Sequence, residues 1–140
     1  MFAVLSTINW LSVLAAFVAY FLLGALWYLL LFPKAYQASL GKTYEPDAKQ
    51  NQEPLYIIGP ALCALVITVT CAVLLHALRI TSYGNALAFA LLVGVGYLFT
   101  NTVNIAINPN IPRPFFYGLI TGSYHLVGML LVNLILVVMK

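Results

Sequence analysis

The chain has 140 residues, 64% of them hydrophobic and 6% charged, with a formal net charge of +3. A soluble domain carries about 25% charged residues, and a fold this apolar would expose patches that aggregate in water. Composition therefore argues against a water-soluble fold, and four crossings of a membrane leave no room for a soluble enzyme domain beside them.

The nine charges are unevenly placed. Lys34, Lys42, Glu45, Asp47, Lys49 and Glu53 crowd together, while Arg79, Arg113 and Lys140 stand alone. The uncharged runs between them cover 1–33, 54–78, 80–112 and 114–139. A helix crosses a bilayer core ~30 Å thick with ~20 apolar residues. Each run is long enough for one crossing and none for two. The expected fold is all-α, a four-transmembrane-helix bundle of antiparallel hairpins forming one integral membrane domain over residues 1–140.

Span 1 is expected over about 9–32. Trp10 lies near its start and Trp27 and Tyr28 near its end. The two tryptophans would stand ~26 Å apart along a helix, the spacing of two interfacial belts. No basic residue precedes Lys34, so the start lacks the charged region of a secretory signal and reads as a retained span. Pro33 marks the helix exit.

The stretch of about 33–54 is the one substantial hydrophilic segment, with turn formers at Gly41, Pro46 and Pro54. It reads as a solvated loop with room for a short surface helix. Span 2, about 55–78, has Pro60 in its first turns, where a missing N–H costs little. Its two cysteines, Cys63 and Cys71, would be ~12 Å apart on a helix, too far for a disulfide, and read as small buried hydrophobes.

A short loop from Arg79 to Gly84 leads to span 3, about 85–107, where Gly94 and Gly96 permit close helix contact. The turn NPNIPRP holds three prolines in seven residues and cannot be helical. Span 4, about 115–139, carries Gly118 and Gly122 as a GxxxG packing motif. The first and third loops carry Lys34, Lys42, Lys49 and Arg113, against Arg79 and Lys140 on the other side. The positive-inside rule then places those loops in the cytoplasm of a cell membrane, with both termini outside.

Polar groups inside the spans mark the candidate site. His125 would lie ~14 Å deep, near the midplane, with Thr121 one turn away on the same face. Asn101 and Asn104 share a stripe of span 3 at ~10 and ~5 Å depth. Trp27 and Tyr28 end span 1 on that side, and Lys34 and Arg113 mark the rim. The expectation is a polar cavity opening toward loops 1 and 3, lined by His125, Asn101, Asn104, Thr121, Trp27 and Tyr28. An ionisable group in a membrane is a candidate functional site. The plainer reading is that Asn, Thr and His hydrogen-bond across helices as glue, worth ~0.6–2 kcal/mol each. Tyr124, beside His125 but on another helix face, is expected to meet a neighbouring helix or lipid.

Other chemistries are poorly served. No Asp or Glu lies within a span, which argues against carboxylate-coupled transport. Ser123 and His125 diverge by ~200° on a helix and cannot form a dyad. His76 and His125 fall at different depths, so neither a metal site nor a cofactor is expected. The few basic residues form no patch for nucleic acid.

The combination resembles the small membrane family known as domain of unknown function 1761. The resemblance rests on Asn9-Trp10, on Gly24 with Trp27-Tyr28, and on Lys34-Ala35-Tyr36. It continues through Asn101, Asn104, Arg113-Pro114 and Tyr124-His125. One departure is Leu29-Leu30-Leu31 after Trp-Tyr, where the family commonly places a small residue or proline. The resemblance implies four spans in a bacterial-type membrane and no particular activity.

Three functions fit the residues. The first is a non-enzymatic membrane protein that binds or passes a small solute or lipid headgroup, as a homo-oligomer because four short helices enclose little space. The second is an accessory or scaffold subunit of another membrane protein. The third is a small intramembrane enzyme using His125. The expected partners are membrane lipid, further copies of the chain or another membrane protein, and no nucleic acid.

Overall fold

The computed structural model describes residues 2–46 and 53–140. Four of its helices are long and apolar enough to cross a membrane: α1 (Trp10–Leu31), α3 (Leu55–Ala77), α4 (Tyr83–Ala106) and α5 (Pro114–Val138). The chain is thus a multi-pass membrane protein. A short helix, α2 (Pro33–Ser39), occupies the start of the hydrophilic segment. The charges Asp47 and Lys49 lie outside the described residues.

Local chemistry sets the helix ends. Asn9 caps α1, its Oδ1 accepting from the N–H groups of Leu11 (3.0 Å) and Ser12 (3.3 Å), donors that a helix start otherwise leaves unpaired. Its amide also donates to the Met139 carbonyl at 2.7 Å, so one side chain closes the start of α1 and the end of α5. The last part of α1, Leu26–Leu31, is π-helical. Phe32 then leaves the helical region, and Pro33 opens α2, where its fixed φ suits a first helical position. Pro60 sits inside α3 rather than in its opening turn, and cannot donate to the Tyr56 carbonyl four residues back. Ser82 caps α4 through Asn85 N–H at 3.3 Å. Gly94–Phe99 is again π-helical. The turn after α4 is folded by Asn108, which donates to the Ile105 carbonyl and accepts from Asn110 N–H, at 2.7 and 2.8 Å. Gly41, at φ 69, lies against Pro112, joining the first and third loops at one end of the bundle.

The hub is α5. Of its most apolar stretch, 44% is buried, against 17–22% for the other three spans. Along α1 it meets Asn9 through Met139, Tyr20 through His125 and Trp27 through Ile120. Residue numbers rise on one helix as they fall on the other, so these two run in opposite senses. α3 reaches α5 where Cys71 Sγ lies 3.7 Å from Met129 Sδ.

Small residues allow these approaches. A Cβ added at Gly118 would stand 2.8 Å from the Val103 side chain and 3.2 Å from its Cα. One at Gly122 would stand 2.6 Å from the Phe99 ring, and one at Gly94 2.9 Å from Leu126. These three glycines pack as the sequence suggests. Gly96 does not: among the described residues, nothing lies within 4 Å of a Cβ there. Two residues turn a helix by ~200°, so Gly94 and Gly96 cannot both face α5.

Gly128 is the tightest point, where an added Cβ would clash with the Cε2 edge of the Tyr20 ring. Gly128→Ala should therefore destabilise the bundle by about 1–3 kcal/mol, the usual cost of overpacking. Thermal unfolding in detergent checks this, with Gly59→Ala, which has open space around it, as the unaffected control on the same assay.

Candidate functional site

His125 and Tyr20 stand at the middle of α5 and α1. The Tyr20 hydroxyl lies 2.7 Å from His125 Nδ1, and Tyr20 is 1% exposed. Which atom donates depends on the imidazole tautomer. The bond uses one ring nitrogen and leaves Nε2 as the ring's second polar atom. Gly128 makes the geometry possible by letting the Tyr20 ring lie against the α5 backbone.

A file of aromatic rings runs from this pair to the end of the bundle that bears loops 1 and 3. Tyr124 stacks on Tyr20 at 5.3 Å between centroids and meets Tyr28 edge-on at 5.4 Å. Tyr28 meets Tyr36 of α2 at 4.9 Å, and Tyr36 meets Tyr117 at 5.9 Å. Gly24 admits the Tyr124 hydroxyl, which would stand 3.1 Å from a Cβ at that position. Trp27 closes one side, its indole N–H donating to the Ile120 carbonyl at 3.1 Å and its ring 4.7 Å from Phe32. Burial, and then the neighbouring Tyr117, pushes the Tyr36 phenol up to about 12, so it stays neutral and keeps its donor.

Thr121 lies one turn along α5 from His125. It is buried, and its hydroxyl sits near that of Tyr28 without closing a hydrogen bond among the described residues. Buried hydroxyls are nearly always paired, so this one is a feature of the site.

The structure brings together four of the residues expected from sequence: His125, Thr121, Trp27 and Tyr28. It does not bring Asn101 and Asn104 to them. Both are exposed on the outer face of α4. Depth along the bundle is shared with Thr121, but rotation about the helix axis is not. Phe99 and Val103 take the face toward α5, against Gly122 and Gly118, and Asn101 and Asn104 fall on the opposite side of the turn. Lys34 and Arg113 are also exposed and do not line the ring file. Lys34 lies with its ammonium 5.9 Å from the Tyr44 ring, beside a surface groove bounded by Ala38 and Lys42.

Sequence reasoning missed several members. Tyr20 is a lone hydroxyl halfway along an apolar span, at the depth of His125, and that coincidence was the available signal. Tyr124 does meet a neighbouring helix, and it is the link between Tyr20 and Tyr28. Asn133, fully buried in α5, donates to the Met129 carbonyl at 2.7 Å, while its Oδ1 has no partner among the described residues. A single amide in a long apolar run could have revealed it. His76 sits at the far end of the bundle, where its Nε2 lies 3.2 Å from the Thr7 hydroxyl.

The chain matches the family described as Protein of unknown function (DUF1761) over residues 11–137, and it belongs to that family. No curated protein matches it, and no solved structure does.

A double-mutant cycle with Tyr20→Phe and His125→Leu measures the central bond. Each single change should destabilise the bundle by about 1–3 kcal/mol, the cost of stranding a buried polar partner. The pair should cost less than the sum, with a coupling of roughly 0.6–2 kcal/mol.

Proposed function

We propose that this member of the DUF1761 family is a non-enzymatic protein of the cell membrane. It binds, or passes, a small polar solute or a lipid headgroup at the His125–Tyr20 pair. The observation that carries this reading is the buried Thr121 hydroxyl, which lies near Tyr28 and one turn from His125 and closes no hydrogen bond among the described residues. Leaving such a group unpaired costs about 1–3 kcal/mol, and a polar guest between Thr121 and His125 would recover it.

The surrounding residues suit such a guest. Tyr20, Tyr28, Tyr36, Tyr117 and Tyr124 offer hydroxyls that donate or accept and ring faces that accept the apolar part of an amphipathic molecule. The file leads from mid-membrane to the end that carries loops 1 and 3. Lys34, Lys42, Lys49 and Arg113 lie in those loops, and their excess over Arg79 and Lys140 supports a cytoplasmic side for that end.

Thr121→Val separates binding from structure. Valine keeps the shape and removes the unpaired hydroxyl, so the bundle should be at least as stable as the parent in a thermal melt. The same variant, and His125→Leu, should lose the guest. Native mass spectrometry reads this on protein reconstituted with phosphatidylethanolamine and phosphatidylglycerol, where a retained lipid and a lighter solute differ in mass. Equal retention by the parent and both variants would rule the reading out.

A further inference from the structure

We infer that a pocket at the other end of the bundle, between the start of α1 and the ends of α3 and α5, binds a phosphate group, carried by an anionic lipid or free in solution. It is separate from the His125 site. Leu136, which lines the pocket, stands ~16 Å further along α5 than His125.

The cavity holds about 130 Å³, smaller than the ~300–1,000 Å³ clefts that take drug-sized ligands, so it suits one compact group. Ser12, Ala72 and Leu75 are the buried part of its lining, and Thr7, Asn9 and Lys140 the exposed part. Ala72 lies ~8 Å along the axis from the end of α3 at Ala77. The 23 residues of α3 rise ~35 Å, slightly more than the ~30 Å hydrocarbon layer. The pocket therefore runs from the headgroup layer to the edge of the hydrocarbon, the depth at which lipid phosphates lie. Its mixed lining of apolar side chains and a few polar groups is that of a binding site.

Charge selects the ligand. Lys140 lines the pocket, and Arg79 directly precedes Ile80 of its wall. Glu45, Asp47 and Glu53 all belong to the segment that joins the other ends of α1 and α3, so every charged side chain at this end is basic. The helix dipoles cancel here, because α1 and α4 start at this end while α3 and α5 finish. The remaining field attracts an anion. Donors are already in place. Lys140 Nζ gives one hydrogen to the Ile80 carbonyl at 2.9 Å, which holds the ammonium at the pocket with two N–H groups to spare. The Thr7 hydroxyl donates to the Val4 carbonyl at 2.9 Å, so its oxygen is the acceptor for His76 Nε2, 3.2 Å away. That imidazole also lines the pocket and adds a second charge when protonated. Arg79 is a further sign. Its φ is 54, and Ile80 N–H returns to the Leu75 carbonyl at 2.9 Å, a helix ending that favours glycine at the Arg79 position. The chain keeps a cation there against that preference. A phosphate presents acceptor oxygens in several directions, which suits donors arriving from separate elements, and Leu75, Ile80 and Leu136 suit the apolar part of a lipid that carries it.

Native mass spectrometry of the delipidated chain in neutral detergent tests this, with phosphatidylglycerol, phosphatidylcholine and inorganic phosphate as probes. The parent should bind phosphatidylglycerol or inorganic phosphate, and phosphatidylcholine more weakly than phosphatidylglycerol. Retained phosphatidylglycerol assigns the site to a lipid headgroup, and binding of inorganic phosphate alone assigns it to a free anion. Lys140→Gln should weaken the bound probe roughly tenfold with no change in melting temperature, since Lys140 is exposed. Ala72→Leu fills the pocket and should abolish binding. Lys140→Gln decides the matter should Ala72→Leu fail to fold. Lys34→Gln, at the opposite end, should bind as the parent does. Equal binding by the parent and Lys140→Gln would overturn the inference, as would equal affinity for the two lipids or an equal loss with Lys34→Gln. A probe lost on Thr121→Val but kept on Lys140→Gln belongs to the mid-membrane site and would overturn this one alone.

Discussion

Inside a bilayer every polar group has to be matched by the protein itself, and in this chain α5 does most of the matching. Its backbone carbonyls at Ile120, Met129 and Met139 accept from Trp27, Asn133 and Asn9. Its imidazole at His125 takes the Tyr20 hydroxyl. Three of these four bonds tie α1 to α5, at the two ends and the middle. Six of the fourteen residues behind the resemblance to the DUF1761 family fall on this seam: Asn9, Gly24, Trp27, Tyr28, Tyr124 and His125.

Packing along the seam is governed by the same solvent. Lipid tails are as apolar as side chains, so helices associate through van der Waals fit and hydrogen bonds rather than through a hydrophobic drive. Here the fit is ring against glycine: Tyr20 on Gly128, Phe99 on Gly122, Tyr124 on Gly24. The two π-helical stretches, Leu26–Leu31 and Gly94–Phe99, contain Trp27, Tyr28 and Phe99. An extra residue in a turn rotates the remainder of the helix, which is one reason such turns recur at functional sites.

Much of this is legible in the sequence. Charge placement locates the four spans to within about two residues at each end, because length against bilayer thickness is a strong constraint. Depth is legible too, since rise per residue is fixed, and it brings Thr121, His125, Trp27 and Tyr28 to one region. Rotation about the helix axis is not. A span that is apolar all round has no polar face to mark its outside, so depth alone assigns Asn101 and Asn104, and to the wrong side. The π-helical turn of α4 carries no sequence signal that would correct this. Gly96 fails with them for the same reason. Tyr20 escapes notice because its importance lies in the partner 105 residues away, which no local pattern announces.

The central claim is that a tyrosine and a histidine meet in the middle of the membrane and join α1 to α5. The most direct measurement is the dipolar coupling between Tyr20 Cζ and His125 Nδ1, by solid-state NMR on isotopically labelled protein in lipid bilayers. A coupling that corresponds to an oxygen–nitrogen separation near 2.7 Å is the expected result. No measurable coupling, together with an imidazole whose two nitrogens both exchange freely with bulk water, would contradict the account.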